Sequence, residues 1–316
     1  MGVDLGGSKL ETALVNTDGC IIASHRRSIH YEKNPDRAIA DIVASTEICL
    51  REANQAAWGL GIGVAGQVDK VTGTVRFSPN LRWHNVPLQA RLEEALGLPV
   101  VVNNDVRAAT WGEWRHGAGQ GVNDLVCLFV GTGIGGGIVS GGCLLEGCHN
   151  SAGELGHITI VASGRHCRCP NQGCLEAYAG GWAIAERAQE AVRADPKAGQ
   201  TLVTLAGGIQ HISAATVSRA YTDGDPLASR LVEETAQYLA AGVVGIVNAF
   251  NPCLLILGGG VIQGLPEYVP MIERSLRASA LETAVEHLRI VAAALGNKAG
   301  VIGAAALARN KIGKPS

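Results

Sequence analysis

The feature that most restricts this chain is a motif that occurs twice: a short apolar strand, a glycine-rich turn and a second strand returning beside the first. The first copy runs from residues 3–5 through Gly6-Gly7 to residues 10–15; the second runs from 125–130 through Gly131-Thr132-Gly133 to 135–139. Each opens a longer plan of the same kind. After the first come a strand at 20–23 behind an Asp18-Gly19 turn, a helix over about 35–56, and a buried-type strand at 60–64. The polar loop Ser78-Pro79-Asn80, a helix near 87–96, a strand at 100–102 and a helix starting just after Asn103-Asn104-Asp105 complete it. Pro35 suits a first helical turn, and Ile39, Ile42, Val43, Thr46 and Leu50 recur at helical spacing. After the second copy the pattern predicts helices over 175–194, 214–221 and 226–250, and a strand at 254–257 ending in Gly258-Gly259-Gly260. A helix at 266–280, a strand at 288–292 and a last helix at 300–309 follow. Two meanders, each followed by helix–strand alternation, predict a duplicated α/β fold of two domains with a cleft between them.

Composition narrows the partners. The 316 residues carry 26 Lys and Arg against 28 Asp and Glu, a net charge of −2, with no basic run, so neither nucleic acid nor an anionic membrane surface is expected. The longest apolar stretch, 239–247, is stopped by Asn248, Asn251 and Pro252, short of the ~20 residues a membrane helix needs. No export signal is visible after Met1, which predicts a soluble cytoplasmic protein. Nine cysteines, an odd number, argue for reduced thiols and a metal rather than a disulfide framework, and Cys20, Cys49, Cys127 and Cys253, in apolar segments, read as buried. The 42 glycines exceed the usual ~7% and lack a collagen period, which marks backbone approached closely by a ligand or turned sharply.

Both glycine turns can aim backbone N–H groups at phosphate oxygens, and Asp4 beside the first can hold a divalent metal that bridges them. Gly131, Gly133 and Gly136 also fit the dinucleotide pattern, but residues 138–142 continue as strand and turn instead of opening a helix, which argues against that reading. His157, Cys167, Cys169 and Cys174 form a complete tetrahedral Cys3His set, suited to a closed structural Zn²⁺ site with no position left for water. Asp105, between strand and helix, reads equally as a helix cap or as a general base taking a hydroxyl proton. Asn80, Asn104, Glu154, His157 and Glu176 add many acceptors and few cations, the inventory for a neutral polyol.

Taken together, Asp4-Leu5-Gly6-Gly7-Ser8-Lys9, the Gly61 to Gly66 run, Pro79-Asn80-Leu81, Asn104 to Ala109, Gly131 to Gly137, Glu154-Leu155-Gly156-His157 and Cys167 to Glu176 resemble the ROK family of sugar kinases, most closely its bacterial glucokinase branch. The resemblance implies an actin-like, ribonuclease-H-related ATPase fold. Residues 1–115 would form one domain, with the 300–316 helix packed back on it, and 116–299 a second that carries the zinc loop and nucleotide site. It implies ATP-dependent phosphorylation of a hexose, foremost glucose, at its 6-hydroxyl. Asp105 would be the base, with Gly66, Asn80, Asn104, Glu154, His157 and Glu176 on the sugar. Asp4, Gly6, Gly7, Lys9, Thr132, Gly133, Gly259 and Gly260 would serve the nucleotide and its Mg²⁺, and His157 would serve zinc as well as sugar. Ser8 and Pro170 replace a threonine and a glycine usual in the family without removing a ligand. N-acetylmannosamine or N-acetylglucosamine kinases share these motifs, polyphosphate is an alternative donor, and a non-catalytic sugar sensor is the rival of a different class. The family's repressors carry a helix-turn-helix for which no segment is visible here. A homodimer or homotetramer is the implied assembly.

Overall fold

The computed structural model describes residues 1–7, 9–29 and 33–313; Ser8 and the end of the expected last helix, 314–316, lie outside the described residues. The chain divides into two compact units: Met1–Val122 with Cys143–Gly153 and Ala294–Ser316, and Asn123–Gly142 with Glu154–Ala293.

In the first unit β1 (Gly2–Leu5), β2 (Lys9–Val15) and β3 (Ile21–Ser28) form the expected antiparallel meander, followed by α1 (Pro35–Ala53) and β4 (Leu60–Val64). The strands β5 (Gln67–Val68), β6 (Val75–Ser78) and β7 (Trp83–Val86) make a separate small sheet, and α2 (Leu88–Leu96), β8 (Val100–Asn104) and α3 (Asp105–His116) return to the main one. Its order is β3-β2-β1-β4-β8, with β1, β4 and β8 parallel. Alternation assigns the two faces: Val3, Leu5, Leu10, Ile62, Val64 and Val102 join Ile39, Ile42, Leu88 and Leu92 of α1 and α2 in one core.

The second unit repeats the plan with β9 (Leu125–Val130) and β10 (Ile134–Ser140) antiparallel. The short strand β11 (Cys143–Leu144) forms the edge of the same sheet, and the chain continues through α4 (Glu176–Ala179), α5 (Gly181–Ala194), α6 (Gln200–Ala206), α7 (Ala214–Thr222) and α8 (Pro226–Phe250). Next come β12 (Leu254–Gly258), α9 (Gly260–Gly264), α10 (Tyr268–Ser279), α11 (Glu282–Val285) and β13 (Arg289–Ala292). The order β11-β10-β9-β12-β13, with β12 parallel to both neighbours, repeats β3-β2-β1-β4-β8, so the duplication is one of topology. The longest helix has the bounds its sequence predicts because local chemistry sets both ends: Asp225 accepts the Ala228 N–H at 2.8 Å ahead of Pro226, and Asn251 closes the helix in the left-handed conformation.

The last helix, α12 (Ala299–Ile312), lies on the other face of the first unit's sheet and against α3. It gets there because glycines remove the side chains that would hold it off. A Cβ on Gly303 would stand 1.7 Å from the Ala108 carbonyl oxygen, and one on Gly61 would stand 1.9 Å from that of Ala304.

Three expectations need correction. The helix over 175–194 is two helices, broken at Gly180, whose backbone is extended (φ −65°, ψ 151°) so that the next peptides can meet the β9–β10 turn. Cys20 and Cys253 are exposed, unlike the buried Cys49 and Cys127, because each sits in the turn just before its strand, outside the apolar run. Around the expected loop at 78–80, residues 67–86 form the small sheet, which the sequence did not indicate, and bury Trp83. Among the described residues no helix is long and apolar enough to cross a membrane.

Candidate active site

In both units the residues singled out by sequence gather just beyond the carboxyl ends of the parallel strands. Leu5, Val64 and Asn104 end β1, β4 and β8 in register, so Gly6-Gly7, Gly66 and Asp105 follow at one level. Open α/β sheets bind ligands at that edge, because there the chain leaves the sheet and exposes its backbone.

Within the first unit, Asn104 caps α3: its Oδ1 accepts the Arg107 N–H at 3.1 Å, while its Nδ2 donates to the Gly66 carbonyl at 3.2 Å. The cap is therefore not the task of Asp105, which opens the helix as its first residue, half-buried, with Oδ1 accepting the Val106 N–H at 2.9 Å. Gly7 backs onto Asn80, since a Cβ there would lie 3.2 Å from the Asn80 Cβ. Asp4 pairs with Lys9 (Nζ–Oδ2 3.3 Å), and the bare α-carbon of Gly300 leaves room for its carboxyl group. Burial pushes the Asp4 carboxyl above its ordinary pKa, opposed by the Lys9 ammonium. A desolvated carboxylate of this kind is a hard oxygen donor suited to Mg²⁺.

Within the second unit, the β9–β10 turn is held from two sides. Gly181 and Trp182, opening α5, donate their N–H groups to the carbonyls of Gly131 (2.9 Å) and Thr132 (3.0 Å). A trans peptide points each N–H opposite to the preceding carbonyl, so the N–H groups of Thr132 and Gly133 face away from α5, and among the described residues neither has a protein acceptor. Paired outward donors of this kind form an anion site. Gly259 (φ +89°) approaches the Val130 carbonyl so closely that a Cβ would stand 2.4 Å from it, which brings the 258–260 turn alongside.

Glu176 was assigned to the sugar by resemblance; the structure also gives it protein partners, with Oε2 accepting the Ile134 N–H at 2.7 Å and Oε1 the Trp182 indole N–H at 3.1 Å. The Glu154–His157 turn packs on the same residue, because Gly156 has no Cβ to collide with the Ile134 carbonyl, 2.1 Å from where one would be. The Glu154 side chain is exposed.

His157, Cys167, Cys169 and Cys174 come together, their ligand atoms all within 4.8 Å of one another. The Cys169–Cys174 Sγ separation and the Cys167 Sγ to His157 Nδ1 separation are both 3.6 Å. A tetrahedral zinc site with ~2.3 Å Zn–S bonds has ligand edges of about 3.8 Å, so the set fits that ion. Nδ1 faces the thiols, which directs Nε2 elsewhere. Burial pushes the Cys167 thiol up to about 12, a group that a cation ionises on binding.

Sequence reasoning missed three supporting residues. Buried Arg107 donates to the Asn150 side chain and to the Ala152 carbonyl (3.0 Å), fixing the segment before Gly153. Glu113, fully buried, accepts the N–H groups of Ala294 (3.0 Å) and Leu295 (2.8 Å) and so secures the approach to α12. Trp182 holds Glu176. Arg107 lies inside a recognised motif, but no spacing rule pairs any of the three with its partner.

The fold and the glycine turns at its strand ends make this a duplicated α/β protein of the actin-like ATPase class. Residues 1–311 match the ROK family. A glucokinase of Streptomyces coelicolor is 37% identical over 311 residues, 98% of this chain and 97% of that one, and a glucokinase of Thermotoga maritima is 35% identical over 99% and 98%. The crystal structure of a ROK family glucokinase from Streptomyces griseus in complex with glucose and AMPPNP superposes with a TM-score of 0.85, at 38% identity and 98% coverage of both chains. The chain belongs to the ROK family.

Proposed function

We propose that this chain is an ATP-dependent glucokinase that phosphorylates the 6-hydroxyl of glucose. The observation that carries the reading is the start of α3, where Asn104 takes the capping role and Asp105 stands as the first helical residue at the carboxyl edge of the sheet. In the reaction the sugar O6 forms a bond to the γ-phosphorus, the bond from that phosphorus to the ADP oxygen breaks, and the hydroxyl proton passes to the Asp105 carboxylate. The sugar ligands are Gly66, Asn80, Asn104, Glu154, His157 through Nε2, and Glu176. Gly6, Gly7 and Lys9 in one unit, and Thr132, Gly133, Gly259 and Gly260 in the other, serve the nucleotide. Asp4 would hold Mg²⁺, which neutralises charge on the transferring phosphoryl group when bound. His157, Cys167, Cys169 and Cys174 would hold a structural Zn²⁺. We read the protein as cytoplasmic and as a homodimer or homotetramer, to be measured by light scattering.

A coupled assay across glucose, mannose, N-acetylmannosamine and N-acetylglucosamine, with ATP and polyphosphate as donors, tests the reading. Glucose with ATP should give the highest kcat/KM, and no turnover in any combination would replace the kinase with a sugar sensor. Asp105→Asn should lower kcat by about a hundredfold or more with sugar binding retained. A variant keeping above about a tenth of the wild-type rate would remove Asp105 from the base role.

A further inference from the structure

A continuous set of contacts in the second unit joins the cysteine loop to the phosphate-binding turn. Arg168, between the metal-set residues Cys167 and Cys169, places its guanidinium 4.4 Å from the centroid of the Trp182 ring and 3.8 Å from the Glu186 carboxylate. The indole N–H of Trp182 holds Glu176 Oε1 at 3.1 Å, and Glu176 Oε2 holds the Ile134 N–H at 2.7 Å. The backbone N–H of the same Trp182 holds the Thr132 carbonyl at 3.0 Å. Glycine at 133 is what admits the carboxylate, since a Cβ would stand 2.4 Å from Oε2.

We propose that Trp182 and Glu176 are positioning residues for the phosphoryl donor, and that the cysteine loop, through Arg168 stacked on Trp182, sets how firmly the turn presents its Thr132 and Gly133 N–H groups. Metal in the cysteine loop then governs donor affinity as well as stability. The inference rests on the kinase reading for the identity of the donor, but its contacts do not.

Trp182→Phe keeps an aromatic ring and removes the indole N–H. In the metal-loaded protein it should raise KM for ATP, and Kd for a non-hydrolysable ATP analogue measured without sugar, by about tenfold, the size of one lost charge-assisted hydrogen bond. Because Glu176 is also a sugar ligand in the proposed function, the analogue is measured without sugar, so its Kd reports the turn alone, and an unchanged denaturant midpoint separates the loss from general loosening. Subtracting the emission of this variant from wild type isolates the Trp182 fluorescence, which should shift when the metal is chelated. Arg168 is exposed, so Arg168→Ala folds; it should weaken analogue binding in the same direction and abolish that shift. Unchanged analogue affinity in both variants, or Trp182 emission indifferent to chelation, overturns the proposal. Weakened analogue binding without turnover on any sugar would sustain it while sinking the kinase reading.

Discussion

Asp4 lies with Gly300 against its carboxyl group, where burial raises its pKa above the unfolded value. The folded chain therefore holds a proton that the unfolded chain releases: this group costs nothing below the ordinary carboxylate pKa, and its cost grows as pH rises through the raised one. Asp4→Asn should accordingly melt above wild type near pH ~7.5, with the difference vanishing near pH ~3, while its Mg²⁺-dependent turnover falls. Melting curves at the two pH values check the sign; a variant less stable at neutral pH would mean the Lys9 pair outweighs burial. Asn104 is the opposite case, with both ends of its amide in use. Asn104→Ala should cost about 1 kcal/mol or more in urea unfolding from the lost cap alone. At this scale the sequence identified the residue types but not their partners. Asn103, Asn104 and Asp105 are all plausible caps by composition, and only the backbone path shows that Asn104 accepts the Arg107 N–H.

Elements were legible where their ends are encoded locally. The bounds of α8 follow from Asp225, Pro226 and Asn251, and β9 from an uninterrupted apolar run. They were not legible where a distant group sets the end: α4 and α5 read as one helix because nothing near Gly180 announces that the next two N–H groups belong to the carbonyls of Gly131 and Thr132. The small sheet of β5, β6 and β7 was missed because its strands have only two to four residues, too few for a period to register. The contact of α12 with α3 and the sheet makes a further prediction. Gly303→Val puts branched carbon against the Ala108 carbonyl, and rigid backbone on both sides should make it cost about 3 kcal/mol, measured by denaturant midpoint. A near-neutral result would mean α12 shifts freely on its bed.

Each unit has its own core, one built from Val3, Leu5, Ile42, Ile62 and Leu92, the other from Leu128, Leu175, Val243, Leu255 and Leu257. Calorimetry should then resolve two transitions. Chelation at the cysteine loop should lower the transition of the second unit, and Gly303→Val that of the first; a single transition moved equally by both would show that the units unfold as one. The duplicated plan itself was readable, because the glycine turns and strand lengths repeat and the two sheets follow the same order.

The chain by itself determined its fold class, the longer strands of its two main sheets, the capped ends of its longest helix and the four metal-set residues, because periodicity, capping and ligand spacing are local properties carried by neighbours in sequence. Tertiary structure alone decided where the glycines count. Some do form the β1–β2 and β9–β10 turns, but Gly61 and Gly303 serve helix packing, which only the approach of a remote carbonyl reveals. It also decided that Glu176 reaches back to the β9–β10 turn, with Trp182 holding it there, because a carboxylate's hydrogen-bond partner is set by which strand end the fold brings beside it.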